Sequence, residues 1–277
     1  MQTISWKNFT IRTDFHPAMP AGSLPGIPPA YNQWNPANVQ VVNNNLQLSL
    51  QRNSPTIWQG QHVWAASEAV VQNSLGYGTY CCTFRIVDAS GKNAWAQFST
   101  LNASPNTSTI FGVFLYDAVG TGGSNPNCEI DIIEVGFQNQ PNNGQGWIGQ
   151  QPGGPALNNA QFVIQPWDAG TPNQPDWNMV KRINIDTASI PDPGDVTVIC
   201  QWTAAGAPVT YYLAYGAYTS ANFPFATAMK YTTPVAANSY IPALNSNMRL
   251  HLNLWPYGGP TTNAPVFVQV SNLEIPS

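Results

Sequence analysis

Apolar and polar residues alternate one by one in run after run of this chain, at 39–42, 46–50, 80–87, 109–116, 129–135, 161–165, 196–202, 209–215, 248–254 and 266–275. A period of two is the mark of a strand that buries one face. Segments rich in Gly, Pro and Asn separate the runs, as in a β-sandwich or barrel. No amphipathic helical period and no internal repeat appears between them. Only 8% of the residues are charged, too few lysines and glutamates to clothe long surface helices. The reading is therefore all-β. A length of 277 residues suits one large sandwich domain spanning 1–277.

One strand carries an unusual load for so weakly charged a chain. Residues 128–135 read Cys-Glu-Ile-Asp-Ile-Ile-Glu-Val. Strict alternation sends Glu129 and Asp131 to one face and Ile130 and Ile132 to the other. Glu134 comes one residue late, and a β-bulge at Ile132–Ile133 would return it to the acidic face. Without the bulge Glu134 would point into the core, a costly place for a carboxylate. Four strand steps of roughly 3.3 Å separate Glu129 from Glu134 at the backbone, so leaning side chains bring their carboxyls to about 5–6 Å. That matches the spacing of about 5–5.5 Å expected of a retaining glycosidase pair, and falls below the roughly 6.5–9.5 Å of an inverting pair. Three adjacent carboxylates cannot all ionise cheaply, so like charge should hold one proton near neutrality. Two plainer readings stand beside this one: a solvent-facing edge strand decorated with acids, or a hard-cation site.

The remaining composition narrows the partners. A net charge of −4 gives no electrostatic case for nucleic acid or an anionic membrane. No run approaches the roughly 20 apolar residues of a membrane span. Ten Trp and eleven Tyr are many, enough for a large core and for stacking platforms against sugar rings. Residues 16–36 are proline-rich and read as a surface loop. Residues 138–160 form a long Gly/Asn/Gln/Pro loop around Trp147, directly after the acidic strand. Cys81, Cys82, Cys128 and Cys200 fit no zinc or redox spacing. They read as buried free thiols, Cys81 and Cys82 facing opposite ways, with one disulfide as the alternative. Met1–Lys7 does not read as a secretion signal.

The run E-I-D-I-I-E resembles the active-site motif of glycoside hydrolase family 16, in its bulged form, and its neighbours resemble that family in the same order. Asn38-Val39-Gln40-Val41 and Leu46-Gln47-Leu48 resemble the early N-V-x-V and L-x-L pair, and L-G-Y-G-T-Y at 75–80 the Y-G-x-Y strand. V-T-V-I-C-Q-W at 196–202 and V-T-Y-Y-L-A-Y-G at 209–216 resemble the family's hairpin, and M-R-L-H-L-N-L-W at 248–255 its late strand ending N-L-W. The resemblance covers roughly residues 30–275.

This resemblance implies a concanavalin A-like β-jelly-roll sandwich of two antiparallel sheets with a concave substrate cleft. It implies a secreted, monomeric, endo-acting retaining glycoside hydrolase of the laminarinase or licheninase kind. The polysaccharide substrate would be a β-1,3- or β-1,3/1,4-glucan. Glu129 would be the nucleophile, Asp131 its assistant and Glu134 the acid/base. Glu68, Phe114, Tyr116, Asn253 and Trp255 match substrate-binding positions, and Gln161 and Gln165 share a strand face suited to sugar hydroxyls. No cofactor is required; a structural Ca²⁺ would fit the family but has no sequence signature. The departures concern the substrate. Asn125-Pro126-Asn127-Cys128 lacks the tryptophan that often precedes the motif, Val70 stands where an arginine is common, and Tyr215 replaces the hairpin aspartate. Trp147 or Trp95 could supply the missing platform. Other outcomes on the same site are a transglycosylase, a β-galactan (agar- or carrageenan-type) hydrolase, or a non-catalytic carbohydrate-binding protein.

Overall fold

A computed structural model describes residues 1–14, 32–58, 61–96, 108–117, 127–136, 159–166, 180–235, 240–257 and 265–276. The described strands are β1 (Thr3–Trp6), β2 (Phe9–Arg12), β3 (Asn32–Trp34), β4 (Val39–Val42), β5 (Asn45–Trp58), β6 (Gln61–Val71), β7 (Gly78–Val87) and β8 (Ser108–Tyr116), then β9 (Asn127–Gly136), β10 (Ala160–Pro166), β11 (Val180–Ile183), β12 (Val196–Trp202), β13 (Thr210–Tyr215), β14 (Met229–Thr232), β15 (Arg249–Tyr257) and β16 (Val266–Glu274). No helix among the described residues is long and apolar enough to cross a membrane.

The strands follow one hydrogen-bonded path, β11-β10-β9-β8-β15-β6-β5-β16-β7-β12-β13-β14. The fold turns at β5. Its first half pairs with β16, Leu46 to Leu50 facing Val270 to Val266, and its second half pairs with β6. One strand thus serves two layers, a front sheet running from β6 to β11 and a back sheet running from β16 to β14. The layers pack face to face, with Phe111 of β8 against Phe84 of β7 at 4.9 Å and Phe162 of β10 stacked on Tyr211 of β13, also at 4.9 Å. This is the sandwich that the alternation predicts, in the antiparallel jelly-roll form that the resemblance implies, with β3 added as a parallel partner of β6.

Alternation decides which side chains enter the core. From the back sheet Tyr80, Cys82, Phe84 and Ile86 point inward, as do Val196, Val198, Cys200 and Trp202. From the front sheet Leu250, Leu252 and Leu254 of β15 meet them, with Ile130, Ile132, Ile133 and Val135 of β9. Cys81 lies on the opposite side, in a small outer cluster with Ile199, Tyr212 and Phe223. Cys81, Cys82 and Cys200 are buried free thiols, and Cys81 and Cys82 face opposite ways as expected. Burial pushes the Cys81 thiol up to about 12. The side chain of Cys128, Trp147, and residues 16–31 and 138–158 lie outside the described residues. Of the segments 16–36 and 138–160 read as loops, Asn32–Trp34 instead forms β3 beside β6 and Ala160 opens β10. Trp95 corrects one expectation. It is buried in the core beside Phe84 and donates its indole N–H to the Gly194 carbonyl at 2.7 Å, so it offers no face to a ligand.

Candidate active site

The acidic strand β9 lies inside the front sheet between β8 and β10. On the β8 side Val113 pairs with Ile133 and Phe114 with Asp131, so Ile132 has no opposite number. On the β10 side Gln161 pairs with Glu134 and Val163 with Asp131, so the single residue Phe162 spans Ile132 and Ile133. Both ladders record the same extra residue, a β-bulge where the sequence placed it. Its effect is chemical. Ile132 and Ile133 both enter the core, and Glu134 returns to the face that carries Glu129 and Asp131. The three carboxylates are 7%, 1% and 6% exposed for Glu129, Asp131 and Glu134. They do not decorate a wet edge.

Register across the sheet sets these residues in rows. One row runs Arg182, Gln161, Glu134, Gly112, Asn253, Glu68, through β11, β10, β9, β8, β15 and β6. The next runs Val163, Asp131, Phe114, His251, Val70, and a third Gln165, Glu129, Tyr116, Arg249. Facing residues in adjacent strands lie roughly 4.5–5.5 Å apart at Cβ, so neighbours in a row touch. Gln161 donates its amide Nε2 to Oε2 of Glu134 at 2.5 Å. Gly112 leaves room beside Glu134: a Cβ at that position would lie 2.8 Å from Oδ1 of Asn253. At the far end His251 Nδ1 meets Glu68 Oε1 at 2.9 Å, both buried. The His251 ring stacks on Phe114 at 5.0 Å and takes Tyr116 edge-on at 5.6 Å.

The Glu134 carboxyl is pushed up to about 8, first by burial and then by the charge of Asp131. The amide of Gln161 and the guanidinium of Arg182 pull it back. A proton is therefore held near neutrality, as the sequence required, but loss of water rather than like charge is the main cause. Arg182 is itself lowered to about 10 by burial, an effect that Glu134 opposes.

The structure brings together Glu129, Asp131, Glu134, Glu68 and Asn253 on one face. Phe114 and Tyr116 are there too, but buried against His251 rather than standing as open platforms. Trp255 is half-buried and packs against the edge of the core. Gln161 faces the site with its amide N–H committed to Glu134. Gln165 pairs with Glu129 along the backbone, and its side chain lies outside the described residues. His251 and Arg182 were not among the expected residues. The alternation M-R-L-H-L-N-L-W carried a signal for His251, which shares a face with Asn253. Val70, where an arginine was missed, sits directly opposite His251, whose ring supplies Glu68 with a nitrogen partner from another strand. Among the described residues no cluster of three His, Cys, Asp or Glu side chains is arranged to hold a metal ion.

Fold and site together define a jelly roll with a buried carboxylate trio on the outward face of its front sheet. Solved structures share this fold. The catalytic domain of an endo-1,3-β-glucanase (laminarinase) from Thermotoga petrophila aligns over 100% of this chain and 95% of its own, with TM-score 0.57 and 13% identity. A prokaryotic β-1,3-1,4-glucanase (lichenase) from a mouse hindgut metagenome aligns over 96% and 92%, with TM-score 0.53 and 13% identity. The Bacillus licheniformis β-glucanase aligns over 99% and 94%, with TM-score 0.54 and 14% identity. No family model matches the sequence, and no curated protein matches it. The likeness is one of architecture, which the sequence motifs had indicated.

Proposed function

We propose that this protein is an endo-acting, retaining glycoside hydrolase that cleaves a β-1,3- or mixed β-1,3/1,4-glucan. The observation that carries this reading is the bulged strand, which sets Glu129, Asp131 and Glu134 on one face with Glu134 holding a proton near neutrality. A retaining mechanism needs a carboxylate nucleophile and a carboxylic acid side by side. Glu134 gives its proton to the glycosidic oxygen as that bond breaks, and Glu129 attacks the anomeric carbon to form a glycosyl ester. Water then enters, gives a proton to Glu134 and displaces Glu129, which restores both carboxyls. Asp131, between them, assists: its charge favours the protonated form of Glu134. The substrate class rests on the glucanases that share the fold. No cofactor enters these steps. An extracellular monomer acting as one domain fits an enzyme of long polymers.

Release of reducing ends from a panel of β-glucans and β-galactans tests the proposal. Wild type should cleave a glucan, and Glu129→Ala should lose at least about 10³-fold in rate. Cleavage of a galactan alone would reassign the substrate. Longer oligosaccharides at high sugar concentration would mark a transglycosylase. Binding without any turnover would leave a carbohydrate-binding protein.

A further inference from the structure

Gln161 shared a strand face that suggested contact with sugar hydroxyls, yet its geometry points elsewhere. It lies directly across the ladder from Glu134, is 2% exposed, and its Nε2 is 2.5 Å from Oε2 of Glu134. We propose that Gln161 is a positioning residue for Glu134, fixing the carboxyl rotamer and selecting the oxygen that carries the transferable proton. This rests on the reading of Glu134 as acid/base.

The argument is one of donor and acceptor inventory. The Gln161 NH₂ group can only donate, so the Glu134 oxygen facing it is held as an acceptor. A protonated carboxyl has a single O–H, which then belongs on Oε1. The opposite neighbour of Glu134 in the row is Gly112, which has no side chain to compete for that oxygen. Arg182 stands behind Gln161 in the same row. A donor to the ionised form also lowers the proton affinity of Glu134, in keeping with the direction of its effect. The same bond therefore aims the acid and keeps it able to release its proton in the first step and take one back in the second.

The test uses Gln161→Met, which keeps the length but removes the donor, and Gln161→Asn, which keeps the amide but withdraws it by one methylene. The first readout needs no activity: titration of Glu134 by carbon NMR in protein labelled at glutamate side-chain carboxyls. Both variants should titrate at higher pH than wild type. An unchanged Glu134 titration in a folded variant would overturn the proposal. The second readout is kinetic. On a β-glucan kcat should fall by about tenfold or more with KM nearly unchanged, and the alkaline limb should move up. On an aryl β-glycoside with an activated phenolate leaving group, which needs no proton, the loss should be much smaller. A raised KM with unchanged kcat would assign Gln161 to sugar binding and overturn the inference. A wild type that cleaves nothing would sink the hydrolase reading, and the NMR titration would still decide the role of Gln161.

Discussion

Glu134 makes folding depend on pH in a defined direction. Its carboxyl stands at about 8 in the folded chain against an ordinary 4.5, so the folded state binds the proton more tightly than the unfolded chain. The associated stability is fully present below about pH 4.5 and is lost as pH rises through 8. Glu134→Gln, which cannot ionise, should therefore gain on wild type across that window, by on the order of a few kcal/mol at its alkaline end. Chemical denaturation of both proteins at pH 4, 6 and 8 checks it, and a constant difference would refute the burial of this proton. At this scale the sequence was largely legible. Glu129, Asp131 and Glu134, with the bulge between, follow from alternation and from the cost of a charge in the core. The partner of Glu68 was not legible. His251 lies 183 residues away, and the residues around Glu68 showed no strand pattern to pair it with.

Among the elements, β8 has a requirement that its neighbours impose. Gly112 sits between Glu134 and Asn253, and any Cβ there meets the Asn253 carbonyl oxygen. Gly112→Val suits a strand by propensity. It should nevertheless push Asn253 aside and cut kcat/KM on a glucan by about tenfold or more, with folding retained. A crystal structure showing Asn253 unmoved, or full activity, would refute this. The strands that alternation revealed are those with one face in the core. Those it hid have physical reasons to be hidden. In β6, Ala65, Ala66, Ser67, Glu68, Ala69, Val70 and Val71 are all buried, so polarity does not alternate along it. The second half of β5 contains Pro55, which ordinarily argues against a strand. β1, β2, β11 and β14 have four residues each, too few to display a period.

At the scale of the molecule, β5 pairs in both layers, so opening either layer at β5 strains its ladder in the other. Three buried thiols among the described residues, Cys81, Cys82 and Cys200, report on this. Cys82 and Cys200 point into the shared core, while Cys81 lies under Phe223 on the outer face of the back sheet. In the native state all three should resist a thiol reagent, and in denaturant they should become reactive together, as read by mass spectrometry of labelled peptides. Early labelling of Cys81 alone would show that the outer cluster opens separately.

The strand path has two ends, β11 and β14, each paired on one side alone among the described strands. An open strand edge is a template for another chain. This protein has nine Lys and Arg in all, and three of them, Lys181, Arg182 and Lys230, fall on those two four-residue strands. Lysine at an edge repels an incoming copy and is costly to bury in a new ladder. Lys181→Val combined with Lys230→Val should leave the circular dichroism of the freshly purified protein intact yet raise light scattering on storage. A sandwich so sparing with charge keeps an exposed lysine on each of the two strands where polymerisation would begin.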